Sequence, residues 1–237
     1  MNLLTRARST SARVSRKARA TALVLDVQQG GCAIAQSLAR QGFAVVLGYA
    51  PSNAGAAAGA VAAIAATGGC ALAVEVSGDG ETEVMCLLDS AEDAFGRIDV
   101  LVDNGIAPIP SRSAEDELFD RYFGVALRGM MEVVRETAPR LRSGGSIVRL
   151  SGAHPHATPR THAWMTPQAA LEWLTRTFAA ELAHYEVRIN AIAPSAQCDE
   201  SALAEAVALL LGADGNGCNG QVFDVGAAAL RVIGASA

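Results

Sequence analysis

Apolar residues in this chain fall in short runs rather than in strict alternation. Thr21–Leu25, Ala44–Tyr49, Ala71–Val76, Ile98–Val102, Ser146–Leu150, Val187–Ile192 and Gln221–Val225 are runs of Val, Leu, Ile and Ala. Such runs read as strands buried on both faces. Between them lie longer stretches that read as helices. Gly31–Gln41 is closed by Gly42, Asn53–Thr67 by Gly68-Gly69, and Glu81–Phe95 by Gly96. Ala114–Leu141 reads as one long helix or two abutting pieces, His162–His184 as a helix, and Glu200–Leu211 as a short one. Strands alternating with helices predict an α/β fold. The expected form is a Rossmann-like doubly wound parallel sheet of about seven strands, with helices on both faces. No internal repeat or linker interrupts the pattern, so residues 21–237 read as one domain.

Composition narrows the picture. Of 237 residues, 51% are hydrophobic but only 5% aromatic, so Ala, Val and Leu must build the core. The net charge of −5 gives the body of the protein no reason to bind nucleic acid. Cys32, Cys70, Cys86, Cys198 and Cys218 are scattered and unpaired in spacing, and read as reduced thiols of a cytoplasmic protein. No apolar run reaches the length of about 20 residues that spans a membrane. Residues 1–20 differ from the rest: Arg6, Arg8, Arg13, Arg16, Lys17 and Arg19 occur there without an acid. This basic N-terminal arm fits a solvated tail, an organelle-type leader, or a contact for an acidic partner.

Several stretches are more specific. They are Phe95-Gly96-Arg97-Ile98-Asp99-Val100-Leu101-Val102, then Gly145-Ser146-Ile147-Val148, then Ala169-Ala170-Leu171-Glu172 with Thr175-Arg176. Val187-Arg188-Ile189-Asn190-Ala191-Ile192-Ala193-Pro194 and Gly220-Gln221-Val222 complete the series. In this order and spacing, over roughly residues 20–230, the chain resembles the short-chain dehydrogenase/reductase (SDR) family. The resemblance implies the same sheet as the periodicity. Function needs its own argument, because a fold does not fix chemistry.

Set against the family pattern, the nucleotide loop is degenerate. The family carries Thr-Gly-x-x-x-Gly-x-Gly, whose glycines let backbone approach a pyrophosphate at a helix N-terminus. Here the stretch is Leu25-Asp26-Val27-Gln28-Gln29-Gly30-Gly31-Cys32, where Gly30 matches and Gly31 offers only a displaced match. Asp26 replaces the first glycine and would repel phosphates; Cys32 replaces the third, where a Cβ crowds the ligand or the helix packing. After the second strand, Gly48-Tyr49-Ala50-Pro51 offers no acid for a ribose and no base for a 2′-phosphate. Asn-Asn-Ala-Gly is cut to Asp103-Asn104-Gly105.

The resemblance also implies a catalytic Ser, Tyr, Lys and Asn. Alignment places Gly152 at the Ser position, Trp164 at the Tyr, Gln168 at the Lys and Ala126 at the Asn. One observation needs no alignment: Lys17 is the only lysine, so no Tyr-x-x-x-Lys pair exists anywhere in the chain.

Two functional readings follow. In the first, the chain is a non-catalytic subunit resembling that of two-component ketoreductases of bacterial secondary metabolism. It would bind no cofactor itself, while an active SDR paralogue, docked through helices 114–141 and 162–184, holds NADPH or NADH. A carrier-protein-bound substrate is implied only by analogy; no nucleic acid, membrane or metal partner is expected. In the second, the scaffold is repurposed for a non-redox dehydration, cyclisation or isomerisation. His154, His156 and His162 lie on the loop entering the old site, and with Asp103 they are acid/base candidates. The same histidines also fit an incidental polar loop, and His-x-His with a third His fits a metal.

Overall fold

A computed structural model describes residues 19–28, 30–76, 80–104, 128–150, 167–195, 198–226 and 230–232. Eight strands form one sheet: β1 (Thr21–Val24), β2 (Ala44–Tyr49), β3 (Cys70–Glu75), β4 (Ile98–Asp103), β5 (Leu141–Leu150), β6 (Arg188–Pro194), β7 (Val222–Val225) and β8 (Leu230–Val232). Their order is β3-β2-β1-β4-β5-β6-β7-β8. β1 pairs in parallel with both β2 and β4, so the strand order reverses beside β1. Ligands of open α/β sheets bind in the crevice at such a reversal, at the carboxyl ends of the strands.

Successive side chains of a buried strand point to opposite faces, and here each face meets helices. Val24, Leu47, Val102 and Val148 pack with Ile34 and Leu38 of α1 (Gly31–Arg40), Ile64 of α2 (Ala54–Ala66) and Val207 of α6 (Glu200–Leu211). Leu23, Val46, Leu101 and Ile147 pack with Leu87 and Leu88 of α3 (Gly80–Phe95), Met130 of α4 (residues 128–137) and Ala179 of α5 (Pro167–Glu181). α6 starts sharply because the Asp199 carboxylate accepts the Ala202 backbone N–H at 2.7 Å.

Within the described residues the expected strands and helices are found, with differences at their ends; the starts expected for the helices at 114 and 162 lie outside the described residues. The sheet has an eighth strand, β8, antiparallel to β7 with Asp224 opposite Arg231. β5 begins at Leu141 rather than Ser146, because Gly144, at φ 82°, and Gly145 carry the strand through an irregular register against β4. Helix α4 therefore ends at 137, and a 3-10 turn through Pro139 (Ala138–Arg140) replaces the last turn expected up to Leu141. α5 likewise ends at Glu181, and Leu182–Tyr185 form a 3-10 turn. Among the described residues no helix is long and apolar enough to cross a membrane.

Candidate functional site

The crevice lies at the C-terminal ends of β1, β2, β4 and β5, and its floor is the β1–α1 loop. That loop bonds chiefly to itself and to its neighbours. The Gln28 N–H donates to the Asp26 carboxylate at 3.0 Å, closing a local turn. Val27 N–H donates to the Gly48 carbonyl of β2 at 3.0 Å. Asn104, fully buried just after β4, clasps the loop with both ends of its amide. Its Oδ1 accepts the Asp26 N–H at 3.0 Å, and its Nδ2 donates to the carbonyls of Asp26 and Gln28 at 2.6 and 2.9 Å.

Gly30 and Gly31 open α1 for different reasons. Gly30 is left-handed, at φ 78°, and caps the helix. Gly31 is the point of closest approach: a Cβ there would lie 1.8 Å from the Asp26 carbonyl oxygen. The tightest backbone approach in this loop therefore falls at Gly31, one residue before Cys32. Cys32 is half-buried against the core, with its Sγ 3.9 Å from the Ala56 carbonyl of α2. Backbone N–H groups at this helix start are also engaged: Gly31 donates to Gln28 at 2.8 Å and Cys32 to Val27 at 3.2 Å.

Negative charge gathers at the same spot. Burial, and then the carboxylates of Glu200 and Asp26, push the Cys32 thiol above its ordinary range. Glu200 arrives with α6, which packs over α1 so closely that the Leu203 side chain sits 3.0 Å from where a Gly30 Cβ would be. Burial, Asp199 and Asp224 likewise push the Cys198 thiol up.

Beside the clasp, Asp103 is part of a buried ion pair. Its carboxylate accepts from Arg149 Nη1 at 2.5 Å, with side chains 5% and 6% exposed. The two residues are in register across β4 and β5. A second guanidinium nitrogen, Arg149 Nε, is buried without an acceptor. Sequence reasoning passed over Arg149, although a charged residue inside the apolar run Ser146–Leu150 was the available signal: a buried charge requires a partner. Glu200 carried no such signal, since only the packing of α6 on α1 brings it here.

The other expected site residues are not brought together by what is described. Ala126, Gly152, Trp164, His154, His156 and His162 lie outside the described residues, and Gln168 falls in the first turn of α5. Among the described residues no group of three or more His, Cys, Asp or Glu could hold a metal ion.

A second feature lies on the far side of α4 and α5. Arg128, Met131, Val134, Phe178, Leu182 and Tyr185 line an open groove of about 990 Å³ with Glu132 and Glu181. Met131 is 54% exposed and Trp173, on the same helix pair, 65%. Exposed apolar patches rimmed by charge mark interaction surfaces.

A family model described as enoyl-(acyl carrier protein) reductase matches residues 27–203. An uncharacterized oxidoreductase of Methylorubrum extorquens is 34% identical over 177 residues, which are 73% of this chain and 71% of that protein. The short chain dehydrogenase/reductase AacuN of Aspergillus aculeatus is 33% identical over 178 residues, 73% of this chain and 67% of its own length. Among solved structures, a promiscuous reductase, LugOII, described as catalysing keto-reduction at C1 during lugdunomycin biosynthesis, superposes with a TM-score of 0.74. It is 26% identical over 89% of this chain and 97% of that one. A short chain dehydrogenase from Mycobacterium avium gives a TM-score of 0.75 at 25% identity, over 93% and 87% of the two chains.

Proposed function

The chain belongs to the short-chain dehydrogenase/reductase family, and from that premise we propose that it is a degenerate SDR-fold subunit supporting an active ketoreductase or dehydrogenase paralogue in a hetero-oligomer of bacterial secondary metabolism. The observation that carries this reading is the single lysine. Hydride transfer in the family needs a Tyr whose pKa is lowered by a Lys four residues on. Here Lys17, in the basic arm, is the only candidate, and no Tyr stands four residues before it. Trp164 and Gln168 at the two positions supply neither a proton acid near neutral pH nor a charge.

The residues present do not fit a nicotinamide dinucleotide. A pyrophosphate needs free backbone N–H groups at the start of α1 and a neutral or positive surround. Gly31 and Cys32 donate instead to loop carbonyls, and Asp26 and Glu200 put negative charge beside them. No redox step is therefore assigned to this chain. The partner holds NADPH or NADH and the Ser-Tyr-Lys set, and acts on a carrier-bound keto or hydroxyacyl group. The α4–α5 groove, with exposed Met131 and Trp173, is the face on which that partner docks.

Two measurements test this. Titration of the purified chain with NADPH or NADH should give no heat of binding at micromolar concentrations; saturable binding would overturn the cofactor reading. Co-expression with the neighbouring short-chain reductase should yield a stable hetero-oligomer. A chain that purifies alone as a homo-oligomer and turns over substrate would end the subunit reading. The alternative, a repurposed non-redox scaffold, rests on His154, His156 and His162 and is tested by replacing each with Ala. Asp103 adds little to that alternative, because its carboxylate is buried against Arg149.

A further inference from the structure

We propose that Asn216-Gly217 is a site of spontaneous covalent modification, at which Asn216 deamidates to aspartate and isoaspartate and loosens the turn that Arg188 holds. Three Asn-Gly pairs occur in the chain: Asn104-Gly105, Asn216-Gly217 and Asn219-Gly220. The chemistry open to each is the same. The glycine nitrogen bonds to the side-chain carbonyl carbon of the asparagine. Its proton passes to the side-chain nitrogen, which leaves as ammonia. Water then opens the cyclic imide at either carbonyl, giving aspartate or isoaspartate. One water is taken up, one ammonia is released, and nothing is oxidised or reduced. Glycine favours the attack because it has no Cβ to obstruct it and turns freely into the required backbone conformation.

The fold treats the three pairs differently. Asn104 is fully buried and its amide makes three hydrogen bonds. Asn219 accepts the Ile189 N–H at 3.0 Å and donates to the Ala179 carbonyl at 3.3 Å. The nitrogen that would attack it, that of Gly220, donates to the Ile189 carbonyl at 2.8 Å. Both reacting groups of that pair are engaged. Asn216 and Gly217 are exposed and end the 3-10 turn Ala213–Gly217. Among the described residues the Asn216 side chain has no hydrogen-bond partner. A short 3-10 turn is poorly bonded and opens by local fraying. The position matters because the chain is gripped on both sides of it. Arg188 Nη1 donates to the Gly215 carbonyl at 2.6 Å and to the Cys218 carbonyl at 3.1 Å. The Cys218 N–H closes back on the Gly215 carbonyl at 2.9 Å. Isoaspartate adds a methylene to the main chain between these anchors. Gly215 cannot take up the slack, since it is packed where a Cβ would lie 2.1 Å from the Leu210 carbonyl oxygen of α6. The bonds at Cys218 give way instead.

The test is ageing of the purified full chain in mildly alkaline buffer. Proteolysis and tandem mass spectrometry then read the acid-for-amide mass change at each asparagine. In the folded chain Asn216 should convert first, and Asn219 about tenfold more slowly, the equivalent of one hydrogen bond that must break before reaction. In concentrated urea the two rates should converge, because the protection of Asn219 belongs to the fold. The aged chain should accept a methyl group from an isoaspartate-specific carboxyl methyltransferase, and Asn216→Gln should accept much less. Hydrogen exchange at the Cys218 amide should be faster in the aged fraction and unchanged by ageing in Asn216→Gln. Equal conversion of Asn216 and Asn219 in the folded chain overturns the proposal. So does undiminished methylation of Asn216→Gln, or a Cys218 amide that exchanges at its original rate once Asn216 has converted.

Discussion

The crevice and the α4–α5 face treat their chemical groups in opposite ways. At the crevice the backbone of the β1–α1 loop is met by Asn104, by Gly48 and by its own Asp26, and Asp103 is met by Arg149. On the α4–α5 face Met131 and Trp173 stand more than half exposed beside an open groove. A loop whose backbone is already bonded leaves little for a ligand to bond. A region that leaves apolar groups uncovered gains by association. In this chain the place where the fold family binds a small molecule is the self-sufficient one, and the helix surface is the unfinished one.

The contrast breaks most readily at the ion pair. Arg149→Met should cost about 3–5 kcal/mol in urea unfolding, because it removes one partner of a buried ion pair. Asp103→Leu/Arg149→Met should recover most of that loss; a double variant as unstable as the single one would mean that the two charges are not coupled. Next is Gly31→Ala, whose Cβ would press on the Asp26 carbonyl from 1.8 Å and should cost about 3 kcal/mol. Gly30→Ala, strained by its positive φ but facing only the yielding end of Leu203, should cost about 1–2 kcal/mol. The reverse order would remove Gly31 as the point of closest approach.

The groove sharpens the comparison from the other side. Met131→Glu/Trp173→Ala should weaken association of the co-expressed complex about tenfold in sedimentation and shift unfolding by only about 0.5 kcal/mol. A large stability loss without a change in association would make the face structural. The smallest effect concerns Cys32. Its thiol is raised, so alkylation followed by mass spectrometry should reach half its maximal rate at a higher pH than for a free cysteine. Glu200→Gln removes a negative charge, favours the thiolate, and should move that midpoint down.

The sheet was legible because a strand buried on both faces leaves an unbroken apolar run. Val45 and Val46 are both fully buried, though they face opposite helix layers. β8 was not legible, since Leu230-Arg231-Val232 is a brief strand on the sheet edge with an exposed charge at its centre. The early start of β5 was hidden because Arg142, Ser143 and Gly144 are exposed and polar or small, and read as a loop. In the site, the departures from the family pattern are visible in the sequence itself: Asp26 stands at a glycine position of that pattern, and Lys17 is the only lysine. The contacts around that loop could not be read. Asp103 and Arg149 are 46 residues apart, and only strand register joins them. Glu200 reaches Cys32 only because α6 lies across α1. Spacing along a chain reports a helix face or a strand face, and is silent on which strands become neighbours.

The Asn104 clasp also bears on how the loop tolerates change. Exchanging Asp26 for a glycine would remove the carboxylate that Gln28 bonds, yet the loop would remain tied to Asn104 from within. Releasing Asn104 alone would leave buried carbonyls without donors before any new ligand could meet them. Each single change is thus resisted by the bonds that remain.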